Sequence, residues 1–393
     1  MKKTNDQNHK YNLSIMGFPF ASPTMKIFLI NIIELLYPSS DCLYLISGGN
    51  FPKADVLNKI IIKDIGISMH YVESVRPFWW SVFLWGFKNI QIQLKMAMEL
   101  VKLFKNTDII FFCGTSYYVP SMLISKLFRK KTVVLVWGMG YMSEKQSGKS
   151  MFSHILKPFE IIMLKFADII DLETQSAISF LNLIKYDKEG KVTIGGLYID
   201  DSIFYQKKEI EERENIIGYV GRLQEEKGIL NYVDAVINLL KSEKSNYKVW
   251  IIGDGPLYNE INEKVEKNDL SEYIILHGWI SHEELPDYLN DLKLMILPSY
   301  SEGVPSIIQE AMSCGTPVLS TPVGGIPDLI TDGVTGFIME NNSPECIEKN
   351  ILRVLKKNNL NLVIIEARNL VKNKYAYDKM VKRYNIVLQK LMD

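Results

Sequence analysis

The sequence predicts an α/β protein built as two doubly wound parallel-sheet domains, and three observations carry that prediction. Short apolar runs of strand length alternate with stretches of helical period along the chain. In the second half, four such runs each pass into a glycine-bearing loop before the next helix, the pattern of a parallel sheet whose loops gather at one rim. The length, 393 residues, exceeds what one ordinary core organises, and 47% apolar with 23% charged residues is a globular balance.

Tyr11 to Met16 reads as the first strand, Gly17-Phe18-Pro19 as its loop, and a helix begins at about Pro23. Further strands are expected at Cys42–Ser47, Ser68–Val72, Ile109–Cys113, Thr132–Trp137, Asp168–Leu172 and Lys191–Ile194. From Gly195 to about Ile210 there is no clear period, and the charged run Lys207 to Glu214 follows; this segment reads as a linker. The expected domains are therefore residues 1–197 and 214–374. The second opens with Ile216 to Val220, a buried strand that ends in Gly221-Arg222-Leu223-Gln224-Glu225-Glu226-Lys227-Gly228. Leu230, Val233, Ala235, Val236, Leu239 and Leu240 follow at helical spacing. Val249 to Ile252 then runs into Gly253-Asp254-Gly255-Pro256, and Tyr273 to Leu276 leads to His277-Gly278-Trp279. Thr316 to Thr321 leads to Val323-Gly324-Gly325-Ile326-Pro327. After Ser343 the pattern is helical, with a last helix over about Ala376 to Met392.

The chemistry concentrates where strands meet loops. Leu294 to Pro298 is a short apolar run, after which come Glu302 and Glu310 with seven residues between them. Gly303 gives turn freedom between them, and Pro305 suits the first position of a helix, where its missing N–H costs nothing. With Ser306 following, the carboxylates would lie roughly 12 Å apart along that helix, with free N–H groups of its start between them as an anion site. Alone, such a pair is as much at home on a solvated helix start. Arg222 and Lys227 bracket a loop at the carboxyl end of a strand, where open α/β sheets bind ligands. A guanidinium grips phosphate oxygens in a fixed fork and an ammonium acts as a movable charge, although such a loop can also be a solvated turn. A molecule with two hydroxyl-rich ends and a phosphate middle, such as a nucleotide sugar, fits this layout.

The ordered set of motifs resembles glycosyltransferase family 4, the retaining enzymes of GT-B fold. It comprises Gly221-Arg222 with Lys227-Gly228, Gly253-Asp254-Gly255-Pro256, the Glu302/Glu310 motif, Ala311-Met312-Ser313-Cys314-Gly315-Thr316-Pro317-Val318, Gly324-Gly325-Ile326-Pro327-Asp328 and Asp332-Gly333-Val334-Thr335-Gly336. The resemblance covers about residues 215–345. It implies two Rossmann-like domains facing a cleft: an acceptor-binding domain of residues 1–197 with the crossing helix 375–393, and a donor-binding domain of residues 214–374. It further implies that Arg222 and Lys227 hold the donor diphosphate, that Glu302 orients a hydroxyl of the transferred sugar, and that Glu310 binds the ribose. Gly303 and Val304 would offer backbone N–H groups, with Pro305 and Ser306 beside them. Gly278 and Trp279 would lie near the base, and Gly17, Gly221 and Gly253 would line the donor. Arg222, Lys227 and Glu302 are then the expected catalytic residues.

One loop departs from the family. In Val136-Trp137-Gly138-Met139-Gly140-Tyr141, methionine stands where some relatives carry histidine, and it can neither accept a proton nor ionise. On the acceptor side, Gly138, Met139 and His154 are the candidates; His9, His70, His277 and His282 read as structural or exposed. No Asp-x-Asp occurs, so neither a metal clamp nor a cofactor is expected, and basic side chains with helix dipoles would neutralise the diphosphate. The implied activity is a retaining hexosyltransferase acting on a glycan or lipid-linked saccharide, as in surface polysaccharide assembly. A sugar-nucleotide epimerase of the same architecture and a catalytically idle partner subunit of another transferase are the other readings.

Composition bears on location. Residues 1–165 hold 20 Lys and Arg against 10 Asp and Glu, whereas residues 166–393 hold 25 against 35. Nothing resembles a nucleic-acid module, so the basic half is expected to meet a phosphate-bearing acceptor or an anionic membrane. The aromatic run from Arg76 to Lys88 suits a membrane interface or a buried helix, and Lys126, Arg129, Lys130 and Lys131 a solvated helix end. The cysteines Cys42, Cys113, Cys314 and Cys346 are scattered without metal spacing or a disulfide framework. With a polar start from Met1 to Lys10 and no run approaching a span, a cytoplasmic protein with access to the inner membrane face is expected.

Overall fold

The computed structural model describes residues 10–17, 23–47, 60–64, 78–115, 118–136, 150–242 and 246–392. In chain order these form β1 (Tyr11–Met16), α1 (Pro23–Leu36), β2 (Ser40–Ser47), β3 (Ile60–Asp64), α2 (Phe78–Leu103), β4 (Ile109–Cys113), α3 (Val119–Leu127), β5 (Lys131–Val136), α4 (Ser150–Phe166), β6 (Ile169–Leu172), α5 (Ser176–Phe180), α6 (Ile184–Lys188) and β7 (Val192–Ile194). The chain continues with β8 (Ile216–Val220), α7 (Ile229–Ser242), β9 (Lys248–Ile252), α8 (Tyr258–Lys267), β10 (Ile274–Gly278), α9 (Leu285–Asp291) and β11 (Leu294–Leu297). It closes with α10 (Ser306–Ser313), β12 (Val318–Ser320), β13 (Phe337–Ile338), α11 (Pro344–Leu355), α12 (Leu360–Tyr375) and α13 (Tyr377–Met392).

Two compact units result. The first holds residues 1–173, 182–197 and 380–393, and the second holds residues 174–181 and 198–379. In the first unit a parallel sheet runs in the order β3-β2-β1-β4-β5-β6-β7. Its central strands read as near-continuous apolar runs because both faces are covered; Ile109 to Cys113 are all buried. The strand order reverses between β1 and β4, and Gly17 follows β1 at that reversal. The Tyr118 hydroxyl donates to the Gly17 carbonyl at 3.0 Å and to the Cys113 carbonyl at 3.1 Å, tying the two loops together. Among the described residues this sheet has one strand the sequence reading lacked, β3. The strand expected at Ser68–Val72 lies outside the described residues.

The second unit has a parallel sheet in the order β10-β9-β8-β11-β12-β13. All five residues of β8 are buried, and α7 packs Ile229, Tyr232, Val233, Val236 and Leu239 into the core. The order reverses between β8 and β11, which pair through Leu294 with Ile217. Such a reversal leaves a crevice at the carboxyl ends of the two strands, because their following loops diverge.

The segment read as a linker is part of this unit. Phe204 and Ile210 are buried, and Arg213 is 4% exposed. Its guanidinium donates to the carbonyls of Leu292 at 3.0 Å and Cys314 at 2.8 Å and to the Thr316 hydroxyl at 2.9 Å. Irregular chain pinned by one buried side chain has no period, so periodicity misses it. β13 was missed for a similar reason, since two residues carry no alternation.

Candidate functional site

The loops after the strands of the second unit are locked to one another through their backbones. The Gly253 N–H donates to the Gly278 carbonyl at 2.8 Å, and the Gly221 N–H donates to the Ile252 carbonyl at 3.0 Å. Gly253 has φ +136°, and a Cβ there would sit 1.9 Å from the Gly221 carbonyl oxygen. On the other side of the strand reversal, the Gly325 N–H donates to the Gly303 carbonyl at 2.7 Å, and a Cβ on Gly324 would lie 1.9 Å from the Glu302 carbonyl oxygen. These glycines let the loops after β8, β9 and β10, and likewise those after β11 and β12, approach to backbone contact, which fixes the rim on which the polar side chains stand.

Lys227 and Glu302 meet at the reversal. Lys227 follows β8 and Glu302 follows β11, and the ammonium lies 2.7 Å from the Glu302 Oε1. Both side chains are largely buried, and the Ser299 hydroxyl donates to the same Oε1 at 2.7 Å. Ser299 is itself held, since the Thr321 hydroxyl donates to its carbonyl at 2.6 Å. The two loops are also joined by the Tyr300 N–H, which donates to the Glu226 carbonyl at 2.9 Å. Arg222 stands differently: its guanidinium is exposed and lies 3.3 Å from the Glu226 carboxylate. Each cation thus has a glutamate partner, Glu302 for Lys227 and Glu226 for Arg222, and an incoming anion would compete with these carboxylates for them.

Pro305 is not the first helical residue. It takes an extended conformation, φ −71° and ψ 112°, and caps α10, which begins at Ser306. Its carbonyl accepts the Ile308 N–H at 3.1 Å, so the ring closes the loop against the helix start instead of entering it. Glu310 lies one turn into α10 and is buried. Its Oε1 accepts from the His282 Nε2 at 3.3 Å. His282 sits in the loop after β10 with its ring against Phe204, centroids 4.9 Å apart. The Glu310 carboxylate raises the His282 pKa above its ordinary value, against the opposing effect of burial, with further help from Glu283 and Asp200.

The second unit therefore brings Gly221, Arg222, Lys227, Gly253, Gly278, Glu302, Gly303, Val304, Pro305, Ser306 and Glu310 onto one rim of strand-end loops and the adjoining helix start. Trp279 follows β10 and is 74% exposed. Gly17 belongs to the first unit. Gly138 and Met139 lie outside the described residues, and His154 falls on α4. Two residues that reading the sequence set aside or passed over, His282 and Ser299, hold the two glutamates. His282, read from the sequence as structural or exposed, is bonded to Glu310 across 28 positions of sequence, a contact no local pattern encodes. Ser299 left a trace, standing three residues before Glu302.

Residues 200–375 match the family model described as glycosyl transferases group 1. The chain carries a glycosyl transferases group 1 domain. Similarity to known proteins extends beyond the matched segment. It is 27% identical over 328 residues to the uncharacterized glycosyltransferase MJ1069 of Methanocaldococcus jannaschii, covering 80% of this chain and 79% of that protein. It is 27% identical over 225 residues to the capsular polysaccharide biosynthesis glycosyltransferase CapM of Staphylococcus aureus, covering 51% of this chain and 57% of that one. The chain spans about half the length of several other curated relatives it matches, such as 48% of the uncharacterized glycosyltransferase MJ1178 of Methanocaldococcus jannaschii. In fold, the chain is similar to Anabaena Alr3699/HepE, solved in complex with UDP and glucose. The TM-score is 0.73 at 13% identity, over 97% of this chain and all of that one. The sucrose-phosphate synthase of Thermosynechococcus elongatus gives a TM-score of 0.74 at 16% identity, over 97% of this chain and 98% of that one. Both likenesses concern the fold, which is GT-B.

Proposed function

We propose that this glycosyltransferase moves a sugar from a nucleoside diphosphate sugar to an acceptor hydroxyl with retention of configuration, as family 4 enzymes do. The observation that carries the reading is the Lys227–Glu302 pair, formed between the loops after β8 and β11 where the strand order reverses. In this reading Arg222 and Lys227 take the diphosphate, Glu302 turns from Lys227 toward a hydroxyl of the transferred sugar, and Glu310 accepts from the ribose diol. Val304 and Gly303 offer backbone N–H groups, and Gly278 with Trp279 borders the base.

Transfer then proceeds on one face of the sugar. The bond from the anomeric carbon to the departing phosphate oxygen breaks while the acceptor oxygen bonds to the same carbon, and the acceptor proton passes to that phosphate oxygen. Negative charge grows on the diphosphate, where Lys227 and Arg222 stabilise it without a change of shape. The cations serve in place of a metal, in keeping with a chain that has no Asp-x-Asp. The first unit would hold the acceptor, a glycan or lipid-linked saccharide of surface polysaccharide synthesis. The name of CapM, a capsular polysaccharide biosynthesis glycosyltransferase, supports that class. A lipid-linked acceptor would place the enzyme at the inner face of the cell membrane.

Thermal unfolding with UDP, GDP, ADP and their sugar conjugates tests the donor site. A ligand at about 100 times its Kd adds roughly 2.7 kcal/mol, so one nucleotide series should raise the melting temperature, and Arg222→Ala should abolish the rise. No rise with any series would sink the donor assignment and favour an idle partner subunit. Proton NMR of the first product formed would then report the anomer: an inverted anomeric configuration excludes the retaining mechanism.

A further inference from the structure

We infer that the flank of α2 from Lys88 to Lys102, continued by the end of α3, is a docking face for an anionic lipid bilayer. The inference deepens the reading of a lipid-linked acceptor by naming the surface that meets the membrane. Of the aromatic run at Arg76 to Lys88 it uses only Lys88.

The helix has three faces where a surface helix ordinarily has two. Ile92, Met96, Leu100 and Leu103 are buried against the first unit. Ile90, Leu94, Met98 and Val101 stand outside, each between 41% and 58% exposed. At about 100° per residue they fall within roughly 80° of arc and run about 17 Å along the axis. Lys88, Lys95 and Lys102 recur every seven residues within about 40° of arc, on the flank between that apolar strip and the buried face. Exposed leucines and isoleucines scattered singly need no explanation, but a strip of four with a parallel row of lysines does.

The patch extends past the helix. The Phe128 ring lies against Phe104, just beyond α2, with centroids 5.1 Å apart. Phe128 and its neighbour Leu127 are exposed, and Arg129, Lys130 and Lys131 follow directly. The charge there is one-sided. Between Phe78 and Phe166 the described residues include ten Lys and Arg but three acids, Glu99, Asp108 and Glu160. Glu99 pairs with Lys102 at 2.5 Å, Asp108 accepts from the Asn12 N–H at 2.8 Å, and Glu160 is buried.

An apolar strip edged by cations matches the boundary between acyl chains and anionic headgroups, where the strip loses water and the ammonium groups meet phosphate. A second copy of this chain would bring the same positive charges against one another. A nucleic acid would satisfy the lysines but leave Ile90, Leu94 and Met98 in water. No described helix is long and apolar enough to cross a membrane, and the proposed contact is one of surface docking.

Co-sedimentation of the full chain with vesicles of phosphatidylcholine, with and without phosphatidylglycerol, tests this. The protein should sediment with the anionic vesicles, stay in solution with the neutral ones, and be released by salt. Leu94→Ser with Met98→Ser, and separately Lys88→Gln with Lys95→Gln and Lys102→Gln, should each weaken binding at least about tenfold. All five side chains lie on the outer flanks of the helix, and unchanged melting temperatures would establish that both variants fold. Absence of binding to anionic vesicles overturns the proposal, as does binding that both variants retain. A dimer in sedimentation velocity that the serine variant dissolves would instead assign the face to a second copy. Vesicle binding requires no donor, acceptor or turnover, so failure here leaves the transferase reading standing, and loss of nucleotide binding leaves this one standing.

Discussion

At the scale of single residues, Glu302 and Glu310 are each held by a side chain from the loop of another strand. Glu302 and Glu310 announce themselves because their interval spans a loop and a helix start. Their partners Lys227 and His282 come from the loops of other strands, and only the sheet order brings them near. Lys227→Ala should therefore remove two things: a cation at the departing diphosphate, and the partner that orients Glu302. Turnover should fall about 100-fold or more, and the melting temperature should fall as well because the buried Glu302 carboxylate loses its ion-pair partner. Steady-state kinetics at a temperature where the variant is folded, beside a thermal scan, would check both. His282 makes a prediction of opposite character. Its raised pKa means that the imidazolium holds Glu310 at low pH, and that this hold is lost as pH rises through the raised value. If the ribose diol takes Glu310 from His282, nucleotide affinity should increase as pH rises from about 6 to 8. Calorimetric titration of wild type and His282→Gln would test it; a pH slope surviving in the variant would exclude His282 as its source.

At the scale of elements, strands with long apolar runs were legible and their ends were not. β8 and β11 stand where the sequence puts them because uninterrupted burial leaves one reading, while Pro305 was misplaced by one position because its role depends on ψ. What the glycine loops do is a matter of distance, and two glycines make the point. Gly253→Ala would drive a Cβ into the Gly221 carbonyl at a backbone angle alanine rarely takes, so stability should fall by about 2 kcal/mol or more. For a unit of this size that corresponds to roughly 4–8 °C in melting temperature. Gly278 also has a positive φ, but no atom lies within 4 Å of its Cβ position. Gly278→Ala should cost only about 1 kcal/mol for the left-handed conformation. Melting curves of both variants decide the matter: equal losses would mean that the Gly253–Gly221 approach is not rigid.

At the scale of the whole molecule, the chain leaves the first unit and returns to it, and the last return is made by α13. The helix begins in the second unit and from Met380 belongs to the first, where Tyr384, Leu388 and Leu391 are buried. No periodicity in α13 tells which unit it covers; an amphipathic helix declares an apolar face and not its partner. The partner is a polar one as well. The Tyr384 hydroxyl donates to the Asp171 Oδ2 at 3.3 Å, and the Thr193 hydroxyl donates to Oδ1 at 2.7 Å. Asp171 ends inside the first unit fully buried, and burial pushes its carboxyl up to about 7, opposed by the two hydroxyl donors and the charge of Arg383. In the unfolded chain the same group titrates near 3.9. The folded state thus keeps its proton longer, and between about pH 4 and 7 stability should fall as pH rises, by up to about 4 kcal/mol, then level off. Asp171→Asn cannot ionise, and its stability should lack that decline. Tyr384→Phe removes a donor to the carboxylate, so it should carry the decline to higher pH. Urea denaturation of the three proteins across this range, followed by circular dichroism, would test the assignment. Parallel pH profiles for wild type and Asp171→Asn would mean that Asp171 is already ionised in the folded protein, with α13 fastened to a carboxylate instead of to an acid.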